Sequence, residues 1–230
     1  MKVEVHADAD AVARAAAAIV AVQARAAVAA RGRFVMAVSG NPAPRLMLRA
    51  LATEDMPWKA TYVAQTDECL ASSRAPAGDL DDLRESLLRH TPLPAAHIVD
   101  MPVAAAAGAA RYALTLGDLA GRPPVLDLVL LDLGTDGATA ALVPGDPVQD
   151  VLDADVAITG VYQGRQWMTL TSPTIDRARC RLWLVTGSDK TEMLARLRDG
   201  DRSIPAGRIS QDHALVLADR MAAGDRGPRY

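Results

Sequence analysis

The chain has 230 residues, of which 50% are hydrophobic and 3% aromatic, and its formal net charge is -3. This length suits one α/β domain with a core of Ala, Val and Leu, so we expect a single domain over residues 1–230. The weakly acidic balance and scattered basic residues argue against nucleic-acid binding, and no unbroken run of about 20 apolar residues predicts a membrane span. The charged N-terminus does not resemble a signal peptide, and Cys69 and Cys180 match no metal spacing. We therefore expect a cytoplasmic protein without a metal or other cofactor.

The first half of the chain alternates helix and strand patterns. An Ala-rich helix is predicted at residues 8–31 with Gly32 as its stop, and a short apolar strand follows at 34–39. A second strand is predicted at 58–66 and runs into residues 67–69. The other elements predicted in this half are helices at 45–51, 79–90 and 102–119 and a short strand at 98–99.

The second half begins with the most distinctive stretch of the sequence. Residues 126–133 are a run of apolar residues typical of a strand buried on both faces, and the turn-forming residues 134–137 follow directly. Two strands at 156–162 and 166–171 predict a hairpin around Gly164. A strand at 180–186 leads to a turn at 187–188, a helix that begins near Lys190 and ends near residue 198, and a closing helix at 214–223.

This alternation predicts an α/β fold with a mostly parallel sheet, helices on both faces and right-handed crossovers. Ligands of such sheets bind at the carboxyl ends of the strands. Four loops, at residues 39–44, 67–69, 134–137 and 187–190, follow predicted strands. We expect these loops to converge on one crevice.

Five sequence motifs occur in a characteristic order. They are S-G-N-P-A-P at 39–44, P-W at 57–58 with D-E-C at 67–69, D-L-G-T-D-G-A-T-A-A-L-V-P at 132–144, W-M-T-L-T at 167–171 with A-R at 178–179, and L-V-T-G-S-D-K at 184–190. This order and spacing resemble the 6-phosphogluconolactonases, which are related in fold to glucosamine-6-phosphate deaminases. The resemblance covers nearly the whole chain and implies a Rossmann-like, three-layer fold.

The resemblance also implies a function, the hydrolysis of a sugar (phosphate) δ-lactone by attack of water on its carbonyl, as in the pentose phosphate pathway. In that family a Ser/Thr-rich loop, an arginine and a lysine hold the substrate phosphate, and the histidine of D-G-H is the favoured general base. The substrate-binding positions implied here are Ser39, Gly40, Asn41, Gly134, Gly137, Trp167 and Lys190.

Several positions depart from the family pattern. Ala138 replaces the histidine, and a methyl group accepts no proton, so the usual base is absent. The other departures each remove a hydroxyl group or a positive charge, or add a negative charge, and they are Pro42, Ala43, Cys69, Trp167 and Asp132. Together they lower the local charge by about three units, and each lost charge-assisted contact is worth roughly 1.5 to 3 kcal/mol. We therefore expect weakened binding of a phosphate.

Three retained carboxylates, Asp136, Glu68 and Asp67, are the candidate catalytic groups, because burial or mutual repulsion can make a carboxylate a base near neutral pH. Aspartates in turns also commonly orient the loop backbone. Lys190 is informative because the chain strongly prefers arginine, and it falls on the family's phosphate-contacting position. Trp167 either stacks on a sugar face or fills the site of the missing arginine.

Two functions stay open from the sequence. The first is a lactone hydrolase with a carboxylate base, acting on a small-molecule sugar lactone or sugar phosphate and not on nucleic acid or a membrane. The second is a catalytically inactive or repurposed family member that binds a ligand or a protein partner. A deaminase or isomerase is disfavoured, because A-T-A-A-L-V-P at 138–144 is nearer the lactonase motif.

Overall fold

The computed structural model describes residues 1–39, 42–70 and 79–225. The strands are β1 (Lys2–His6), β2 (Phe34–Val38), β3 (Thr61–Gln65), β4 (Asp67–Cys69), β5 (Ile98–Val99), β6 (Leu128–Asp132), β7 (Val156–Ile158), β8 (Trp167–Leu170), β9 (Arg181–Val185) and β10 (Ala214–Asp219). The helices are α1 (Ala9–Arg31), α2 (Pro42–Leu51), α3 (Asp79–Leu88), α4 (Gly108–Ala120), α5 (Ser172–Arg177), α6 (Thr191–Arg198) and α7 (Pro205–Arg208).

Seven strands form one parallel sheet in the order β1-β10-β9-β6-β2-β3-β5. The remaining strands, β4, β8 and β7, form a small antiparallel sheet. Both faces of the large sheet are covered, because alternate residues of β2 enter different cores: Met36 packs with α1 and α2, whereas Val35 packs in the cluster that includes residues of α4 and α6. The predicted α/β fold with a mostly parallel sheet is confirmed.

Helix α1 begins and ends at the residues that its sequence pattern predicts. The Asp8 side chain accepts a hydrogen bond from the Ala11 backbone N–H at 2.8 Å, and Gly32 adopts a left-handed conformation with φ of 76° that ends the helix. The helix is long and apolar enough to cross a membrane by length and composition alone. One face, however, packs in a core cluster with residues such as Phe34 and Leu217 of the central sheet. Helix α1 is thus a covering layer of this fold.

Three elements differ from those predicted from the sequence, one near each end of the chain and one in its middle. Residues 214–223 do not form the predicted closing helix, because Ala214–Asp219 is strand β10, paired with β9 and β1. A short apolar run fits a buried strand and a buried helix equally well, and here the tertiary pairing decides. Strand β1, which is half-exposed and charged at alternate positions, was missed. The helix predicted at 102–119 begins only at Gly108, after a series of turns.

The strand predicted at 58–66 does not continue into residues 67–69 as one strand. Strand β3 ends at Gln65, and residues Asp67–Cys69 leave the large sheet to pair with β8. The hairpin predicted around Gly164 is confirmed, since β7 and β8 are antiparallel neighbours. These two features bring the small sheet to the carboxyl end of the parallel sheet.

Candidate active site

A cleft of about 580 Å³ lies at the carboxyl end of β6. Its walls come from the loop after β6, the small antiparallel sheet and the turn after β9, so three of the four predicted loops meet there. Of the sequence-predicted residues, Asp67, Gly134, Asp136, Trp167 and Lys190 line the cleft. The expected convergence of loops after different strands is therefore observed for the described residues.

The loop after β6 holds Asp136 in a fixed position. The Gly134 backbone N–H donates to the Ala138 carbonyl at 2.8 Å, and Asp136 Oδ1 accepts from the Ala138 backbone N–H at 3.1 Å. A Cβ atom at Gly134 would overlap Asp136 Oδ1, so this position needs glycine. Asp136 thus orients the loop, as aspartates in turns do, and its carboxylate still lies on the cleft wall.

Asp136 makes a second contact, across the cleft wall. The Tyr162 hydroxyl donates to Asp136 Oδ2 at 2.5 Å. This hydrogen bond to the carboxylate, together with partial burial, raises the pKa of Tyr162 above its ordinary value. The phenol is therefore protonated at neutral pH.

Tyr162 belongs to the tip of the β7–β8 hairpin, which sequence reasoning did not connect with the site. Tyr162 and Arg165 exchange two backbone hydrogen bonds of 2.8 and 3.0 Å around Gln163 and Gly164, both of which have positive φ. This is a two-residue hairpin turn. The tip contributes Tyr162, Gln163 and Arg165 to the cleft, and β8 contributes Trp167. The predicted turn at Gly164 was the available signal for these residues.

The neighbouring carboxylates Asp67 and Glu68 have different surroundings. Asp67 is 4% exposed, lines the cleft and accepts a hydrogen bond from the Thr66 hydroxyl at 2.6 Å. Glu68 is outside the set of residues that line the cleft, and it accepts from the Gln65 side-chain amide at 2.6 Å and the Cys69 backbone N–H at 3.1 Å. Glu68 therefore anchors the corner between β3 and β4 and is not part of the cleft wall.

Two cations face three carboxylates in this cleft. Lys190 ends a 3-10 turn at Ser188–Lys190, and its Nζ lies 3.6 Å from Asp189 Oδ2. Arg165 is exposed, and no ion pair engages its guanidinium within residues 1–39, 42–70 and 79–225. The carboxylates on the lining are Asp67, Asp132 and Asp136. The loss of positive charge expected from the motifs is thus partly reversed, because Arg165 lies two residues before the family arginine position.

The other predicted site residues lie off the cleft wall or outside the described residues. Ser39 follows β2 and is only 2% exposed. Its hydroxyl has no hydrogen-bond partner in the described part of the chain. Gly137 has φ of 83°, packs against Ile204 and accepts from the Ala206 backbone N–H at 2.9 Å. Gly40 and Asn41 are outside the described residues.

Ala138 lies on the cleft lining, and no histidine does so among the residues that the structure describes. Those residues also contain no group of three or more His, Cys, Asp or Glu side chains placed to hold a metal ion. Trp167 is half-buried and borders the cleft without closing it. The chemistry available in this cleft is therefore that of carboxylates, a phenol and two cations.

Known proteins resemble this chain along most of its length. A family model described as glucosamine-6-phosphate isomerases/6-phosphogluconolactonase matches residues 7–217. A 6-phosphogluconolactonase of Synechocystis sp. is 33% identical over 212 residues, which cover 87% of this chain and 88% of the relative.

Solved structures show the same fold with both activities of that family. A 6-phosphogluconolactonase from Trypanosoma cruzi has a TM-score of 0.85 at 23% identity, over 99% of this chain and 97% of that one. A monomeric glucosamine-6-phosphate deaminase has a TM-score of 0.84 at 20% identity, over 98% of this chain and 100% of that one. At such identities these structures establish the fold alone.

Proposed function

Because the chain belongs to the glucosamine-6-phosphate isomerase/6-phosphogluconolactonase family, we propose that it is a lactone hydrolase that acts on a sugar δ-lactone or its phosphate. The observation that carries this proposal is the position of Asp136, a carboxylate fixed on the wall of an open cleft that Arg165 and Lys190 also line. A base and anion-binding groups in one cleft are what hydrolysis of a sugar-phosphate lactone needs.

In the proposed reaction Asp136 takes the proton from the attacking water. Each carboxylate oxygen has two lone pairs, so Asp136 accepts from the Ala138 N–H and the Tyr162 hydroxyl and still has room for a water molecule. Asp67 is nearly completely buried, and we assign it the role of shaping the cleft wall. Glu68 acts as a positioning residue for the strand that carries Asp67. Ala138 leaves the space that a histidine would occupy.

The two cations bind the anionic end of the substrate. Lys190 and Arg165 come from different elements, and we assign them to the phosphate of a phosphorylated lactone. Trp167 offers an aromatic face at the cleft for the apolar side of the sugar ring. Gly134 provides a close backbone approach. Roles for Ser39, Gly40, Asn41 and Gly137 remain predictions from the motif alone.

The relatives give no support to the alternative that this chain is a non-catalytic module, and Trp167 does not close the cleft. The family model covers both activities and the solved deaminase matches at 20% identity, whereas the sequence relative at 33% identity is a lactonase. We further propose a single-domain enzyme of the cytoplasm.

A direct assay tests the proposed function. Purified protein is added to freshly prepared 6-phosphoglucono-δ-lactone or to the unphosphorylated glucono-δ-lactone, and proton release is followed against the uncatalysed rate. We expect catalysis well above background for at least one lactone. Folded protein without excess proton release on either lactone would overturn the proposal.

A further inference from the structure

The Asp136–Tyr162 hydrogen bond joins a proton acceptor and a proton donor that come from different elements. Tyr162 comes from the hairpin tip and Asp136 from the loop after β6, and their oxygens lie 2.5 Å apart. Both residues line the cleft. Both residues are held in place by further hydrogen bonds. Asp136 accepts one from the Ala138 backbone N–H, and the Tyr162 backbone exchanges two with Arg165. A fixed contact of this kind is a ready path for a proton.

Lactone hydrolysis needs proton transfer at two places. A base takes a proton from water as its oxygen attacks the carbonyl carbon, and an acid gives a proton to the ring oxygen as the ring opens. A carboxylate serves the first task. A protonated phenol serves the second, because the departing alkoxide is a far stronger base than a phenolate.

We propose that Tyr162 is the general acid of this enzyme and that the Asp136–Tyr162 hydrogen bond returns the proton taken from water to the leaving ring oxygen. The inference rests on the proposed lactonase function and adds a residue that the family motifs do not include. It also gives the hairpin tip a chemical role.

In the proposed reaction Asp136 and Tyr162 together carry every transferred proton. Water oxygen bonds to the carbonyl carbon, the carbonyl π electrons move to its oxygen, and Asp136 takes the water proton. The carbonyl then re-forms, the bond from carbon to ring oxygen breaks, and the ring oxygen takes the hydroxyl proton of Tyr162. The proton on Asp136 passes to the Tyr162 phenolate. Both side chains end in their starting states, and the product is the open-chain acid.

The protonation state of Tyr162 agrees with this role. The raised pKa of the phenol keeps it neutral throughout the neutral pH range, so it begins each cycle with a proton to give. The same raised pKa makes Tyr162 unsuited to act as the base for water, which leaves that task to Asp136.

The test compares Tyr162→Phe with a matched change on the same hairpin. Val161 is 72% exposed and outside the set of cleft-lining residues, so Val161→Ala is the control. We expect Tyr162→Phe to lower kcat by about 100-fold, the lower range for general acid catalysis, with KM nearly unchanged and the protein still folded. Val161→Ala keeps the wild-type kcat. A Tyr162 replaced by 3-fluorotyrosine, which retains an acidic hydroxyl, restores the activity that phenylalanine loses.

A second comparison separates a proton path from simple packing. If the two groups act as a unit, the double variant Asp136→Asn/Tyr162→Phe loses no more kcat than Asp136→Asn alone. Full kcat in Tyr162→Phe, beside an active wild type, would overturn the role of Tyr162 and leave the lactonase proposal standing. Failure of 3-fluorotyrosine to restore activity would also overturn it. A wild type without activity on either lactone would overturn both proposals.

Discussion

Cys69 and Trp167 lie directly opposite each other in the antiparallel pair of β4 and β8. Both occupy positions where the motifs of the resembled family have arginine, so these two positions are neighbours in space in this fold. A small thiol beside a large indole is a complementary cross-strand pair. Arg165, two residues before Trp167, brings one guanidinium back to the same cleft from the hairpin tip.

This rearrangement makes phosphate recognition depend on Arg165 and Lys190. We expect Arg165→Ala and Lys190→Ala each to raise KM for 6-phosphoglucono-δ-lactone about tenfold or more, since a contact to a charged group is worth roughly 1.5 to 3 kcal/mol. KM for the unphosphorylated lactone stays near its wild-type value. Exposed Arg14→Ala and Lys59→Ala are matched controls. An equal rise in KM for both lactones would show that neither Arg165 nor Lys190 binds the substrate phosphate.

The methyl group of Ala138 suggests a gain-of-function test. Ala138 lines the cleft beside Asp136, so Ala138→His places an imidazole near the attacking water. We expect kcat/KM to rise about tenfold or more, because a positioned general base typically contributes about 100-fold and Asp136 already supplies part of this effect. The gain appears as the pH rises through the imidazole pKa near 6.5, because only neutral imidazole accepts a proton. Ala138→Gln, similar in size but without a titratable group, gives no such gain.

Substitution of Gly137 is expected to destabilise the fold, and substitution of Gly145 is the control for the effect of the left-handed backbone alone. Gly137 has φ of 83°, and a Cβ there would lie 2.6 Å from Ile204 Cβ. Gly145 has φ of 74° and nothing within 4 Å of such a Cβ. We expect Gly145→Ala to lower the free energy of unfolding by about 1 kcal/mol through the left-handed backbone. Gly137→Ala adds roughly 1 to 3 kcal/mol of overpacking. Equal losses in chemical denaturation would contradict the Ile204 contact.

The Tyr162 phenol provides a test that needs no substrate. Its pKa is raised because the neutral phenol donates to the Asp136 carboxylate, so Asp136→Asn should lower it toward its ordinary value of 10.0. Ultraviolet titration of tyrosinate, with Tyr162→Phe subtracted, isolates this residue from the other three tyrosines. The raised pKa also means that the bond stabilises the fold below the ordinary phenol pKa and is lost as pH rises through the folded value. An unchanged titration in Asp136→Asn would contradict the contact.

The sequence predicted the parts of the site that follow local patterns. The apolar run of β6 and its turn placed Asp136, and the order of the motifs placed Asp67, Trp167 and Lys190 at the same cleft. The fold class followed from the alternation of strands and helices. The fold class and the loops that meet at the cleft needed only periodicity, turn residues and spacing, whereas the choice of Trp167 and Lys190 as site residues rested on the resemblance to the 6-phosphogluconolactonases.

The rest depended on long-range pairing that no local pattern encodes. Strand β10 was mistaken for a helix because its burial comes from β9 and β1 on either side. Tyr162 and Arg165 were missed because a hairpin tip has no fixed direction until β8 pairs with β4. The contrast between Asp67, which lines the cleft, and Glu68, which does not, also required the strand register.

The central claim is that Asp136 performs the base chemistry of lactone hydrolysis in place of a histidine. The most direct measurement is kcat for proton release from 6-phosphoglucono-δ-lactone by Asp136→Asn, beside Asp118→Asn, whose carboxylate is 70% exposed on α4. We expect Asp136→Asn to lose about 100-fold or more in kcat while remaining folded, and Asp118→Asn to match the wild type. A folded Asp136→Asn with the wild-type kcat would contradict the claim.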